Sequence, residues 1–278
     1  MTGISAKVVG RLVRIGSLHE PMPGVLVVSG STPSWMQQLS VACLGSRGVA
    51  TIAFSSAAAL HRFDGYLQGP VEVLVPSWRA QLTAVAKVHV GDVDPRDVTS
   101  VEQVRCTGVA RTLVDIAAAD DPDRVEIAFE SVRRRGTSLR WIEATAERLR
   151  HRGRAGPRLI LSLVAEAKGQ RPAESALEVR LARILKHIPG LERQHVVTSS
   201  SGAFVARTDF AIPLAKIAIE AHSREFHTAS RAIERDERRE QSLRLEGWDV
   251  HYFTWEAMQS PELVRRQIEI AVRRACPT

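Results

Sequence analysis

Apolar residues recur along this chain with a period near 3.6 in some segments and near 2 in others, which separates expected helices from expected strands. Ser5 to Ile15 reads as a short helix with Ser5 as its N-cap, and Lys7, Arg11 and Arg14 take the i, i+4, i+7 spacing of one face. After Gly16-Ser17, the segment Pro21 to Ser29 carries Gly24 and the apolar run Val25 to Val28, the pattern of a hairpin. A basic helix followed by a hairpin is how a winged helix-turn-helix ends. Trp35 to Leu44 and Ser55 to Phe63 read as helices, and Val71 to Val75 and Val85 to Val90 as strands. From Gly108 to Val164 the period is helical throughout, in segments Thr112 to Ala118, Asp123 to Arg134, Leu139 to Arg150 and Pro157 to Ala165.

Lys168 to Pro172, short, polar and closed by proline, is the expected boundary. Beyond it Glu174 to Lys186 forms a helix with Leu177, Leu181, Ile184 and Leu185 on one face. Strands follow near Arg193 to Thr198, Phe204 to Ile212 and Lys216 to His222, then a charged helix Ser230 to Glu246, a strand Asp249 to Thr254 and a helix Pro261 to Ala275. The order is α-β-β-β-α-β-α. The pattern predicts an α+β protein, α/β in the broad sense. Its parts are a partial winged-helix element over residues 1–30, an α+β and then helical region over 31–167, and a mixed domain over 174–278.

The chain has 278 residues, room for two modest domains, and 44% hydrophobic with 25% charged residues exclude a disordered or collagen-like chain. No apolar run reaches the roughly 18 residues of a membrane span, and the N-terminus lacks a secretory apolar segment, so the cytoplasm is the expected compartment. Cys43, Cys106 and Cys276 are too few and too scattered for a disulfide framework or a metal knuckle. Lys and Arg number 38 against 31 Asp and Glu, a net charge of +7, which favours a polyanionic partner, nucleic acid first. In the first fifty residues Lys7, Arg11, Arg14 and Arg47 stand against Glu20 alone. A second basic stretch holds Arg152 and Arg154, flanked by Arg148, Arg150 and Arg158; it reads either as a phosphate-contacting patch or as a solvated helix end.

The two strands around Pro213 carry the candidate chemistry. If they form a hairpin centred between Leu214 and Ala215, Asp209 faces Glu220 and Arg207 faces His222. Phe204, Ala206, Phe210 and Ile212 then share an apolar face with Ile217, Ile219 and Ala221, and the four polar residues share the other. Two facing carboxylates, roughly 5 Å apart at Cβ, repel. Either Arg207 neutralises the pair on a solvated sheet face, or a Mg²⁺ or Mn²⁺ ion bridges both carboxylates and activates water.

The C-terminal segment, with an inward Glu in "SALEVRLARIL", then "RTDF", "IAIEAH" and "GWDVHYFTW", resembles the very-short-patch-repair-like (Vsr-like) branch of the PD-(D/E)XK nuclease superfamily. The resemblance covers about residues 174 to 278. It implies a restriction-endonuclease-like αβββαβ core, Mg²⁺ or Mn²⁺ as cofactor, and Asp209, Glu220 and Glu178 as its ligands. It also implies a histidine role for His227 in "EAHSREFH". His222 stands where such relatives read E-x-D-G or E-x-K, and there it either moves protons or marks a site that has lost its chemistry.

The N-terminal half, through "GSLHEPMPGVLVVSG", "AFSSAAALHRFDG", "GPVEVLVP" and the expected helix "VRCTGVARTLVDIAA", resembles AbiEi-type antitoxins and transcriptional regulators. Members carry more chain before the wing; here Ala6 to Ile15 alone stands for the recognition helix.

GxxxxGK[ST], GxSxG and HExxH are absent from the sequence, which leaves phosphate-loop, α/β-hydrolase and zincin chemistry without their parts. His151, His187 and His195 are isolated, and Trp248, Tyr252, Phe253 and Trp255 read as core. The expected function is a metal-dependent DNA endonuclease with Glu178, Asp209, Glu220, His222 and His227 in its site. Lys7, Arg11, Arg14, Arg152, Arg154 and Arg207 would be its nucleic-acid contacts. The alternative is an antitoxin-like DNA-binding regulator with a degenerate nuclease fold, whose partners would be an operator and a cognate toxin; an RNA-binding face is the third reading.

Overall fold

The computed structural model describes residues 5–151, 155–169, 173–222 and 230–276 and divides the chain into two compact units, 1–172 and 173–278. It is mixed α and β, with ten α-helices and three sheets among the described residues. None of these helices is long and apolar enough to cross a membrane.

The first unit opens with α1 (Ala6–Arg14) and the antiparallel pair β1 (Leu18–Met22) and β2 (Val25–Val28). Pro23 and Gly24 make the connection, and Gly24 takes the positive φ, 80°, that the turn needs. Ser5 holds the N-cap position of α1, but its side chain makes no capping bond. In α2 (Trp35–Gly45) Ser34 does cap, its hydroxyl accepting from the Gln37 amide at 3.1 Å.

A five-stranded sheet follows in the order β5-β4-β3-β7-β6, built from β3 (Thr51–Ile52), β4 (Glu72–Val75), β5 (Lys87–Val90), β6 (Val98–Val101) and β7 (Val104–Thr107), with α3 (Phe54–Leu60) between β3 and β4. Three of these strands were not expected. β3 is two residues long, below any readable period. The β6–β7 hairpin turns on Glu102 and Gln103, both at positive φ, where a primed turn usually announces itself with Asn or Gly. The stretch "VRCTGVARTLVDIAA" is therefore strand β7 first and helix only from Val109, after the Gly108 N-cap.

Helices α4 (Val109–Ala117), α5 (Pro122–Arg134), α6 (Leu139–Arg148) and α7 (Gly156–Ala167) enclose a core of Leu113, Ile116, Phe129, Ile142 and Ile160. A buried charge network ties α4 and α6 to the turn before β6. Arg111, 1% exposed, donates to Asp115 at 2.9 Å and Asp97 at 3.3 Å, and Arg148 pairs with the same Asp97. Arg150 pairs with Glu147 at 3.2 Å. Arg148 is thus bound to an internal carboxylate and not held out as a phosphate contact.

The second unit has the order α8 (Ala176–Leu185), β8 (Glu192–Thr198), β9 (Phe204–Ile212), β10 (Ile217–Ala221), α9 (Ser230–Leu245), β11 (Asp249–Phe253) and α10 (Pro261–Ala275). Its sheet runs β11-β10-β9-β8, with β10 and β11 parallel and the other pairs antiparallel. Ile217 pairs with Ile212, Ala218 with Ala211 and Ile219 with Phe210, the register of a hairpin centred between Leu214 and Ala215. The turn is a short 3₁₀ segment, Pro213–Ala215, closed by Lys216 at φ 49°.

Phe210, Ile212, Ile217 and Ile219 meet Leu181, Leu185 and Ile268 from α8 and α10 in one cluster. Ala211, Ala218, Leu243 and Trp248 form a second. The expected apolar face is interrupted at its start, since Phe204 is 69% exposed at the outer end of β9. Trp248 and Phe253 are core residues as read, whereas Tyr252 and Trp255 are exposed at their edges. The ring of Trp255 is instead covered by the Arg180 guanidinium, 4.8 Å away.

Candidate functional site

Glu178 is placed by the first turn of α8. Ser175 caps that helix by accepting from the Glu178 amide at 3.2 Å, and the Glu178 carboxylate reaches back to accept from the Glu174 amide at 2.9 Å, a capping-box arrangement. The same carboxylate accepts from the Gln194 side-chain amide at 3.2 Å. Gln194 sits at φ 50° within β8, a left-handed kink that no glycine marks in the sequence. Burial and the charge of Asp209 push the Glu178 carboxyl up to about 7.

Asp209 and Glu220 stand on the adjacent strands β9 and β10. The Ala221 amide donates to Asp209 at 2.9 Å, across the hairpin register. Burial raises both carboxyls above the usual carboxylate range, and the charge of Asp209 adds to the rise at Glu220. Glu220 is 5% exposed. Its carboxylate meets Arg239 of α9, whose guanidinium donates to Glu220 Oε1 at 2.6 Å and also to the Arg207 carbonyl.

The structure thus brings the half-buried Asp209 within electrostatic reach of two buried acids, Glu178 and Glu220. Arg207 does not bridge the pair. Its side chain is ion-paired with Glu174, and the neutralising cation is Arg239, one of many bases on a charged helix whose sequence does not say which faces the sheet. Among the described residues no three His, Cys, Asp or Glu side chains converge as a ready metal cage. The donor chemistry nevertheless suits a hard cation: three carboxylates, two of them on adjacent strands, whose proton affinity burial raises.

His222 follows on the same strand end. Its amide donates to the Phe253 carbonyl at 2.9 Å and its ring lies edge-on to Tyr252, centroids 5.5 Å apart. Tyr252 is the parallel-strand neighbour of Glu220, and burial together with Glu240 and Glu220 pushes its hydroxyl up to about 12. Tyr252 therefore borders the site and is more than core filling. His227, Arg152 and Arg154 lie outside the described residues.

Lys7, Arg11 and Arg14 are exposed on α1, which buries none of its residues, and none of the three has an ion-pair partner among the described residues. His195 is a packing histidine, as its sequence spacing implied: it pairs with Glu192 at 2.7 Å and packs on Trp248. Cys43, Cys106 and Cys276 are free thiols.

No family model matches the chain. Over 247 residues it is 30% identical to Uncharacterized protein MT2308 of Mycobacterium tuberculosis (strain CDC 1551 / Oshkosh), across 87% of this chain and 84% of that protein. Uncharacterized protein Rv2248 of Mycobacterium tuberculosis (strain ATCC 25618 / H37Rv) matches to the same extent. The chain belongs to the family of these mycobacterial proteins. A match of 247 residues is longer than either compact unit, so the family relationship runs through both.

Proposed function

We propose that this chain is a cytoplasmic DNA-binding protein whose 173–278 unit is a Vsr-like, metal-dependent DNA endonuclease. The observation that carries the reading is the acidic trio of buried Glu178 and Glu220 with half-buried Asp209, set on a helix and two adjacent strands in the order α-β-β-β-α-β. Clustered carboxylates with raised proton affinity are rare outside functional sites, because each destabilises its neighbours. These three residues would hold Mg²⁺ or Mn²⁺, which when bound supplies Lewis acidity at a phosphate oxygen and an acidified water. His222 lies within two residues of Glu220 and would move a proton there; His227 is the second candidate for that role. Arg207 would meet the phosphate after leaving Glu174, an exposed and easily exchanged partner. The exposed face of Lys7, Arg11 and Arg14, which has no ion-pair partner among the described residues, followed by the β1–β2 hairpin, supports duplex binding by a partial winged helix.

Purified full-length protein incubated with supercoiled plasmid in Mg²⁺ or Mn²⁺ should yield nicked or linear product, and Glu220→Gln should abolish it while retaining plasmid binding. A specific observation favours a second reading. Arg239 already neutralises Glu220, and His222 replaces the lysine of E-x-K, as expected of an AbiEi-like regulator with a degenerate nuclease fold acting on an operator or with a cognate toxin. Salt-sensitive plasmid binding without cleavage in either metal would overturn the nuclease reading in its favour.

A further inference from the structure

We infer that Arg239 is a resident counter-cation for the carboxylate pair, occupying the Glu220 oxygen that a divalent cation would take and setting how readily the site loads. The inference rests on the nuclease reading and deepens it. The guanidinium donates to Glu220 Oε1 at 2.6 Å, on a carboxylate whose side chain is 7% exposed, so it fills a coordination position from which water is largely excluded. Its second bond, to the Arg207 carbonyl, aims it along β9 toward the same pair.

The arrangement is built to be exchanged. Arg239 comes from α9, whereas the carboxylates are set by strand register, so the cation can leave without disturbing the hairpin. Its side chain is 37% exposed, and solvation compensates the guanidinium once it withdraws. The guanidinium keeps contact with solvent while the acid is buried, so its withdrawal strands no buried cation.

Mn²⁺ binding to the full-length chain, measured by isothermal titration calorimetry at pH 8.5, tests this. Arg239→Gln removes the competing charge and is expected to bind Mn²⁺ about tenfold more tightly than the wild type. It should also show a larger Mn²⁺-induced rise in Tm, because its metal-free Glu220 lacks the cation that Arg239 supplies. Arg239→Lys keeps one ammonium that cannot serve both Glu220 and the Arg207 carbonyl, and is expected to bind about threefold more tightly, which keeps the test open if the glutamine variant does not fold. Equal or weaker Mn²⁺ binding by the folded variants, alongside wild-type plasmid cleavage, would overturn the inference alone. No Mn²⁺ binding by any of the proteins, with plasmid uncut, would overturn the nuclease reading and the inference with it.

Discussion

Glu178 binds its proton more tightly folded than unfolded, because burial and Asp209 penalise its charged form. Unfolding then releases a proton between the ordinary value of 4.5 and about 7. The associated stability is full below that window and is lost as pH rises through it. In EDTA, Glu178→Gln should flatten the fall of Tm between pH 5 and 8, as followed by calorimetry; a slope identical to wild type would contradict the assignment. At Asp97 the expected effect is on stability alone. Asp97→Asn leaves the buried Arg111 without one carboxylate and Arg148 without its partner, and should cost about 3 kcal/mol in urea unfolding. The facing of Asp209 and Glu220 was legible in the chain, since strand alternation and a centred turn set antiparallel register. The partners Arg239, Gln194 and Tyr252 were not, because a basic helix offers many cations and a left-handed kink at glutamine carries no local signal.

Among the elements, α1 is held to the molecule without burying any side chain, which leaves its cationic face free for phosphate. Replacing Lys7, Arg11 and Arg14 together with Gln should weaken plasmid binding and reduce the salt slope by up to about three units; an unchanged slope would remove α1 from the interface. Helices α4 and α7 pack at the other extreme of closeness. A Cβ at Gly156 would lie 2.1 Å from the Val114 carbonyl oxygen, so Gly156→Ala must part the two helices and should cost about 1–3 kcal/mol. Helices and the longer strands were readable from periodicity to within a few residues, α10 and β9 at both ends. Strands β3, β6 and β7 were hidden by their brevity and by a Glu102-Gln103 turn without glycine.

For the whole molecule, the division after Pro172 separates two sets of cores, and the sheet of the second unit is completed by its own strands. Residues 173–278 expressed alone should fold cooperatively, with circular dichroism of an α and β protein; a disordered spectrum would show that its core needs the first unit. From the sequence by itself came the α+β class, the element order of the second unit and the pairing of two carboxylates, all set by short-range alternation and turn geometry. Only the tertiary structure decided which cation meets which acid. Arg239 reaches Glu220 and Arg148 reaches Asp97 across separations where periodicity carries no information, and such pairs are selected by packing direction and burial in the folded chain.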